Sequence, residues 1–286
     1  MTTRLTTFTN DGLTFDVLDD GPLDGVPVVL LHGFPQTATE WSRVAPHLHD
    51  RGYRTIAPNQ RGYSPGARPR GRAAYRMSAL VGDTVALIRA IGDEPVHLVG
   101  HDWGSAVAWT TAAQHPELVR TLTSVSVPHP MAFTRSLVRS NQALHSFYMA
   151  VFQIPWLPEV LLQQAFRSVN TPERHRRAES LSQMDAEQFD QVRGGVIDSG
   201  ALTYALNWYR AMLIMGPRTV TRKVSAPTTH VWGTRDVGLT RKGAELTADY
   251  ATGPYKLEIL DASHWIPDER PAELAAIIAE RASNAM

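Results

Sequence analysis

The sequence predicts an α/β protein: a mostly parallel sheet with helices on both faces, interrupted by a helical insertion. Three observations predict it. Short apolar runs alternate with amphipathic segments through the first half of the chain. The alternation stops after Pro128-His129-Pro130, and no strand-like run follows as far as residue 219. Strand signal then returns at 228–233 and 256–260, ahead of a closing helix.

Taken in order, residues 5–9 and 13–19 read as an antiparallel hairpin turned at Asp11-Gly12. Residues 28–31, Val-Val-Leu-Leu, are a buried strand, with Pro27 at the start where a strand tolerates proline. An amphipathic helix is expected at 41–50, a strand at 55–58 and a helix at 77–91. The strand at 96–100, the helix at 105–115 and the strand at 122–127 continue the pattern. Right-handed crossovers make such a sheet doubly wound. From 131 to 219 the segments are rich in Leu, Gln, Arg and aromatics, broken by Pro155, Pro158, Pro172 and Gly194-Gly195. The last helix, 271–281, has proline at its first turn. The expected division is a core of 1–130 and 220–286 and a helical cap of 131–219.

Composition narrows the function classes. The 286 residues suffice for one large core with an inserted subdomain. Hydrophobic residues at 43% and charged residues at 20% are ordinary for a globular protein. Lys+Arg and Asp+Glu both number 28, which argues against nucleic acid or an anionic membrane as partner. The five arginines of 61–76 read as a solvated loop. No cysteine is present, which excludes disulfides and thiolate metal sites. No signal-like run opens the chain and no stretch of about 18 apolar residues could span a bilayer, so a cytoplasmic location is expected. No phosphate loop or dinucleotide fingerprint is present, so no cofactor is expected. His97 and His101 lie on a strand and its turn and should not converge on a metal. Monomer and homodimer are both open.

Residues 98–104 carry the chemistry: Leu98-Val99-Gly100-His101-Asp102-Trp103-Gly104. The Gly-x-x-x-Gly spacing bends a buried strand sharply into a helix and exposes the middle side chain. A serine there would attack a carbonyl. A carboxylate instead displaces a leaving group from an sp3 carbon and forms an alkyl ester. Parallel sheets place functional groups at the carboxyl ends of their strands. Those ends here read His32-Gly33-Phe34-Pro35, then Asp102, then Thr234-Arg235-Asp236, then Asp261-Ala262-Ser263-His264-Trp265. The order nucleophile, acid, histidine follows.

On these residues the chain resembles the α/β-hydrolase superfamily, and within it the epoxide hydrolases, over nearly its whole length. The resemblance implies an eight-stranded, mostly parallel sheet with an inserted cap. Asp102 would be the nucleophile, although aspartate also favours helix N-caps. His264 would be the base that activates water. Asp236 would orient it. Some relatives carry this acid after the strand that here is 122–127, but Pro128-His129-Pro130 offers no carboxylate, which strengthens Asp236. The backbone N–H groups of Phe34 and Trp103 would form the oxyanion hole, with a cis peptide before Pro35.

Two cap segments set the subclass. Tyr148-Met149-Ala150-Val151-Phe152-Gln153 and Ala205-Leu206-Asn207-Trp208-Tyr209-Arg210 resemble the family's two tyrosine motifs. The resemblance implies that Tyr148 and Tyr209 bind the oxygen of a small-molecule epoxide. Ring opening develops an alkoxide, far more basic than phenolate, so a tyrosine of pKa about 10 can donate a proton to it. A haloalkane or haloacid dehalogenase would share Asp102, Asp236 and His264, and Trp103 could cradle halide. Phe34 has no polar side-chain hydrogen for that task, however, and the two tyrosines would have no role. A non-catalytic binder would not need the triad. Gln36 could line the site. Trp41, Trp208 and Trp265 are expected to pack, and His101 to support the elbow by hydrogen bonds.

Overall fold

The computed structural model describes residues 3–92, 94–169, 171–214 and 222–284. Among them, eight strands form one sheet: β1 (Thr7–Asn10), β2 (Leu13–Asp20), β3 (Val26–Leu31), β4 (Tyr53–Pro58), β5 (Val96–His101), β6 (Val119–Val125), β7 (Thr228–Gly233) and β8 (Tyr255–Leu260). Their order is β1-β2-β4-β3-β5-β6-β7-β8. β1 and β2 pair antiparallel, as does β2 with β4, and every other pairing is parallel. The expected hairpin forms, with Asp11 and Gly12 both at positive φ in its turn.

Two apolar layers sandwich the sheet. On one face β3, β5, β7 and β8 bury Val28, Leu30, Val99, Val231 and Leu260 against α1 (Ala45–His49) and, near the C-terminus, residues 271–283. On the other, Val29, Leu31 and Leu98 pack under α2 (Met77–Ile91) and α3 (Trp103–Gln114). The central strands are near-continuous Val and Leu because both their faces are covered.

Between β6 and β7 the described residues hold helices and no strand. These are α4 (Pro130–Arg139), α5 (Gln142–His145), α6 (Tyr148–Val151), α7 (Leu157–Arg167), α8 (Pro172–Ser182), α9 (Ala186–Val192) and α10 (Leu202–Ala211). α9 continues into a π-helical turn, Arg193–Asp198, at the Gly194-Gly195 pair. The expected cap boundary at 219–220 lies outside the described residues. After β7 come α11 (Arg241–Leu246), α12 (Ile266–Glu269) and α13 (Pro271–Ser283). Among the described residues no helix is long and apolar enough to cross a membrane.

Some boundaries differ from the sequence reading. The helix expected at 41–50 is a 3-10 turn, Ala38–Arg43, followed by the short α1. Pro46 explains the split: it lacks an N–H and fits only the first turn of a new helix. β6 starts three residues earlier than expected and ends at Val125, not 127. Ser126 takes φ 63°, and the Val127 N–H turns back onto the Val125 carbonyl. The 61–76 loop is less solvated than expected: Arg61 is buried in a bidentate pair with Asp83 at 2.7 Å.

Candidate active site

β5 ends at His101 and α3 begins at Trp103, so Asp102 alone makes the turn. Its backbone sits at φ 49°, ψ −120°. Positive φ in a non-glycine residue costs on the order of 1–3 kcal/mol and persists only where the surroundings enforce it. The two glycines of the elbow are part of that enforcement. A Cβ on Gly104 would lie 2.1 Å from the Leu31 carbonyl oxygen, and one on Gly100 2.3 Å from that of Gly104. α3 therefore approaches β3 and β5 more closely than any side chain permits. Gly104→Ala is expected to lower stability by about 1–3 kcal/mol or more, as overpacking does. A denaturant titration should show a lower midpoint at constant slope, and an unchanged midpoint would mean the contact relaxes freely.

The Asp102 carboxylate is buried and its two oxygens have different neighbours. Oδ1 accepts the Phe34 N–H at 2.8 Å, while Oδ2 lies 3.6 Å from His264 Nε2. Burial opposes its ionisation, but His264, His101 and the Phe34 N–H together hold its pKa below the ordinary carboxylate value. Phe34 stands just past β3, and its peptide to Pro35 is cis. The preceding Gly33 N–H donates to Glu40 Oε2 at 3.0 Å, which pins the loop. Trp103 opens α3, so its amide is one that a helix leaves without an intrahelical acceptor.

Asp236 follows β7, with its side chain fully buried. One oxygen accepts the N–H groups of Gly238 and Leu239, each at 2.8 Å, and the other accepts His264 Nδ1–H at 2.8 Å. That bond leaves Nε2 facing Asp102. Burial alone would lower the His264 pKa. The charge of Asp236, then the hydrogen bonds to Asp102 and Asp236, outweigh burial and hold it well above an ordinary imidazole.

Tyr148 lies in α6 and Tyr209 in α10, with ring centroids 6.2 Å apart. Tyr209 packs edge-on against Phe34 and Trp103. Tyr148 approaches Tyr209 edge-on, and the Trp103 ring lies 5.1 Å from that of Tyr209. Burial, and next the charge of Asp102, raise both phenol pKa values above the ordinary tyrosine value. Both are therefore neutral donors at physiological pH.

Phe34, Asp102, Tyr148, Tyr209 and His264 all line one cavity of about 900 Å³. Asp236 stands behind His264, and Trp103 lines an adjoining void. Gln36 is a correction: its amide turns away and donates to Asp268 at 3.1 Å, a bond made possible because α12 packs beside the loop. Trp265 is another. It lines the cavity besides packing, since its indole N–H is drawn to the Ser182 carbonyl at 2.8 Å. Trp41 and Trp208 are core residues, and Trp208 Nε1 donates to the Arg61 carbonyl.

A buried polar network beneath the site was not visible in the sequence. Glu40 and His101 make a short contact with both side chains fully buried, and His101 Nε2 lies 2.9 Å from the His264 carbonyl. One carboxylate thus ties the Phe34 loop to the elbow and, through His101, to His264. Asp268, pushed up to about 7 by burial and then by Glu40, accepts amide N–H bonds from Gln36 and from Gln188 of α9. Nothing in the spacing of Glu40 or Asp268 marks them; His101, beside the nucleophilic position, was the only one with a signal.

An elbow side chain facing an acid-paired histidine, at the carboxyl ends of a mostly parallel sheet, defines the class: an α/β hydrolase with a carboxylate at the elbow. A family model for the alpha/beta hydrolase fold matches residues 26–271. The AB hydrolase superfamily protein YfhM of Bacillus subtilis is 36% identical, with 96% of each chain covered. Epoxide hydrolase 3 of Xenopus tropicalis is 33% identical over 94% of this chain and 74% of its own. The crystal structure of epoxide hydrolase A from Mycobacterium thermoresistibile superposes with a TM-score of 0.77 at 27% identity, covering 96% of both chains. The chain belongs to the epoxide hydrolase family of the α/β-hydrolase superfamily.

Proposed function

We propose that this chain hydrolyses epoxides to vicinal diols through a covalent ester on Asp102, in a site closed between a core of residues 1–130 and 220–286 and a cap of 131–219. One observation carries the reading. The free oxygen of an ionised elbow carboxylate faces a cavity that also holds two neutral phenols and a histidine. Asp102 Oδ2 attacks an epoxide carbon and the C–O bond breaks. Tyr148 and Tyr209 hold the departing oxygen, and one supplies its proton. The products are a hydroxyalkyl ester and a phenolate.

The second step needs His264 as a base, although its pKa starts high. Alkylation resolves this: it removes the negative charge of Asp102, so one of the two carboxylates holding the imidazolium disappears. The proton His264 then sheds restores the phenol. Neutral His264, oriented by Asp236, takes a proton from water, and the hydroxide attacks the ester carbonyl carbon. Negative charge builds on Oδ1, which already accepts the Phe34 N–H, with the Trp103 amide as second donor. Collapse releases the diol, which takes its proton from His264; Asp102, left as the acid with one water oxygen, passes its proton to His264, which restores the starting charges.

Tyr148→Phe and Tyr209→Phe test the subclass. Each removes a hydrogen bond to a developing charge, worth about 1.5–3 kcal/mol, so each should cost roughly 10–100-fold in kcat/KM on styrene oxide, and the double variant more. Unchanged diol formation in both would end the epoxide reading even with the triad intact. The dehalogenase alternative has less support, because Trp103 packs edge-on against Tyr209 and does not line the main cavity. Release of chloride from a chloroalkane with no diol from any epoxide would restore it.

A further inference from the structure

We infer that Asp268 is a further positioning residue of this reaction: its carboxyl seats the cap helix α9 against the loop that carries the Phe34 N–H. The inference rests on the proposed function for its kinetic readout. Asp268 lies on α12, just past His264, with 8% of its surface exposed. One oxygen, Oδ2, accepts an amide N–H from each side of the seam. Gln36, on the loop just past Phe34, donates from the core at 3.1 Å, and Gln188 donates from α9 at 2.7 Å. Gln188 also fixes the start of α9, since its Oε1 accepts the Asp185 N–H at 2.8 Å. Its neighbours Met184 and Phe189 wall the cavity, so the seat of α9 sets the shape of the site. Arg43 closes the seam from outside, pairing with Asp185 and Glu187 of α9 and donating to the Asp268 backbone carbonyl at 3.3 Å. Those partly exposed pairs contribute little each, and the buried bonds to Asp268 decide.

The charged groups around Asp268 are Glu40 and Arg43 of the 3-10 turn, His101 at the end of β5, and Asp185 and Glu187 of α9, both paired to Arg43. On its own segment, Glu269 pairs with Arg235, and Arg270 donates to the Asp261 carbonyl. Burial, and then the Glu40 charge, push the Asp268 carboxyl up to about 7. As a neutral acid it can also donate. The Gln36 Oε1 is buried without a hydrogen-bond donor among the described residues, and a half-turn of that amide brings it to face the acid O–H. When the cap lifts, water reaches Asp268 and its pKa returns towards the ordinary carboxylate value near about 4. The seated form therefore binds the proton more tightly than the lifted one. Acid favours seating, and a pH rising through about 7 favours lifting. Over the interval from about pH 6 to about pH 8.5, the seated-to-lifted ratio should fall about tenfold.

The test combines hydrogen exchange with kinetics on the full chain. In the parent, protection of the α9 amides, corrected for intrinsic chemical exchange, should fall about tenfold over that interval. Asp268→Asn keeps a carbonyl oxygen for both amides and carries no charge at any pH. Its α9 protection should stay constant, and its kcat/KM on styrene oxide at about pH 6 should lie within about threefold of the parent's. The parent-to-Asn ratio of kcat/KM should then fall as pH rises. Asp268→Leu leaves both amides unpaired and should lower kcat/KM about tenfold or more throughout. Gln188→Leu removes the same joint from the cap side, so adding it to Asp268→Leu should cost less than about threefold more. Parent α9 protection that does not change with pH overturns the inference, as does an Asn variant that loses protection as the parent does. Full activity in Asp268→Leu also overturns it. A parent that hydrolyses no epoxide overturns the proposed function instead. The exchange comparison needs no substrate and still decides on Asp268.

Discussion

Asp102→Ala is expected to abolish diol formation, a loss on the order of 10⁴-fold or more, the scale seen when a covalent nucleophile is removed. No other carboxylate can replace it. Asp236 is buried behind His264 with both oxygens hydrogen-bonded, and among the described residues no second acid lines the cavity or the adjoining void. The loss should be purely catalytic. Alanine keeps the strained backbone of this turn and loses only the bond from the Phe34 N–H, worth about 1 kcal/mol, so thermal unfolding should show a midpoint within several degrees of the parent's. A companion measurement examines the covalent step. After a single turnover in heavy-oxygen water, mass spectrometry of the parent should find the label in the peptide containing Asp102. Label in the diol alone, or a variant retaining more than a few per cent of activity, would refute attack by this residue.

His264→Gln is expected to divide the reaction in two. Alkylation needs only the carboxylate and the phenols, so it should continue. Hydrolysis needs a base, so it should stall. The expected record is a burst of one epoxide consumed per active site, little diol, and an intact mass raised by that of the substrate. Glutamine keeps a polar head near Asp102 but cannot take a proton from water. Steady turnover should fall by about 10³-fold or more. The physical basis is the charge change at Asp102. With the carboxylate ionised, His264 lies between two negative groups that favour its protonated form; on the proposed mechanism, ester formation removes one attraction and frees the imidazole. A variant that loses activity without accumulating an adduct would place His264 in the first step and contradict this order.

Much of the site was legible from the chain. The elbow is encoded locally: two glycines four positions apart around a polar side chain are required by contacts of 2.1 and 2.3 Å that no Cβ could occupy. The strand ends that carry Phe34, Asp102, Asp236 and His264 follow from apolar runs whose period reports burial directly. Tyr148 and Tyr209 were legible only through resemblance, because nothing in a helix's spacing says which of its side chains meets a carboxylate more than 40 positions away. A helix and a strand end were misread where a proline or a positive-φ residue acted, at Pro46 and Ser126.

The sequence by itself determined the sheet order of chemistry, the carboxylate at the turn and the helical insertion, since each is written in neighbouring residues and in periodic burial. Tertiary structure alone decided which oxygen of Asp102 is tethered and which is free, and how charge holds His264. It also decided that Glu40, His101 and Asp268 share one buried network and that Asp102, His264 and the two tyrosines line one cavity. These depend on distances between residues tens to hundreds of positions apart. Electrostatic strength and cavity shape are properties of what packs around a group, and they take values only once the chain has closed upon itself.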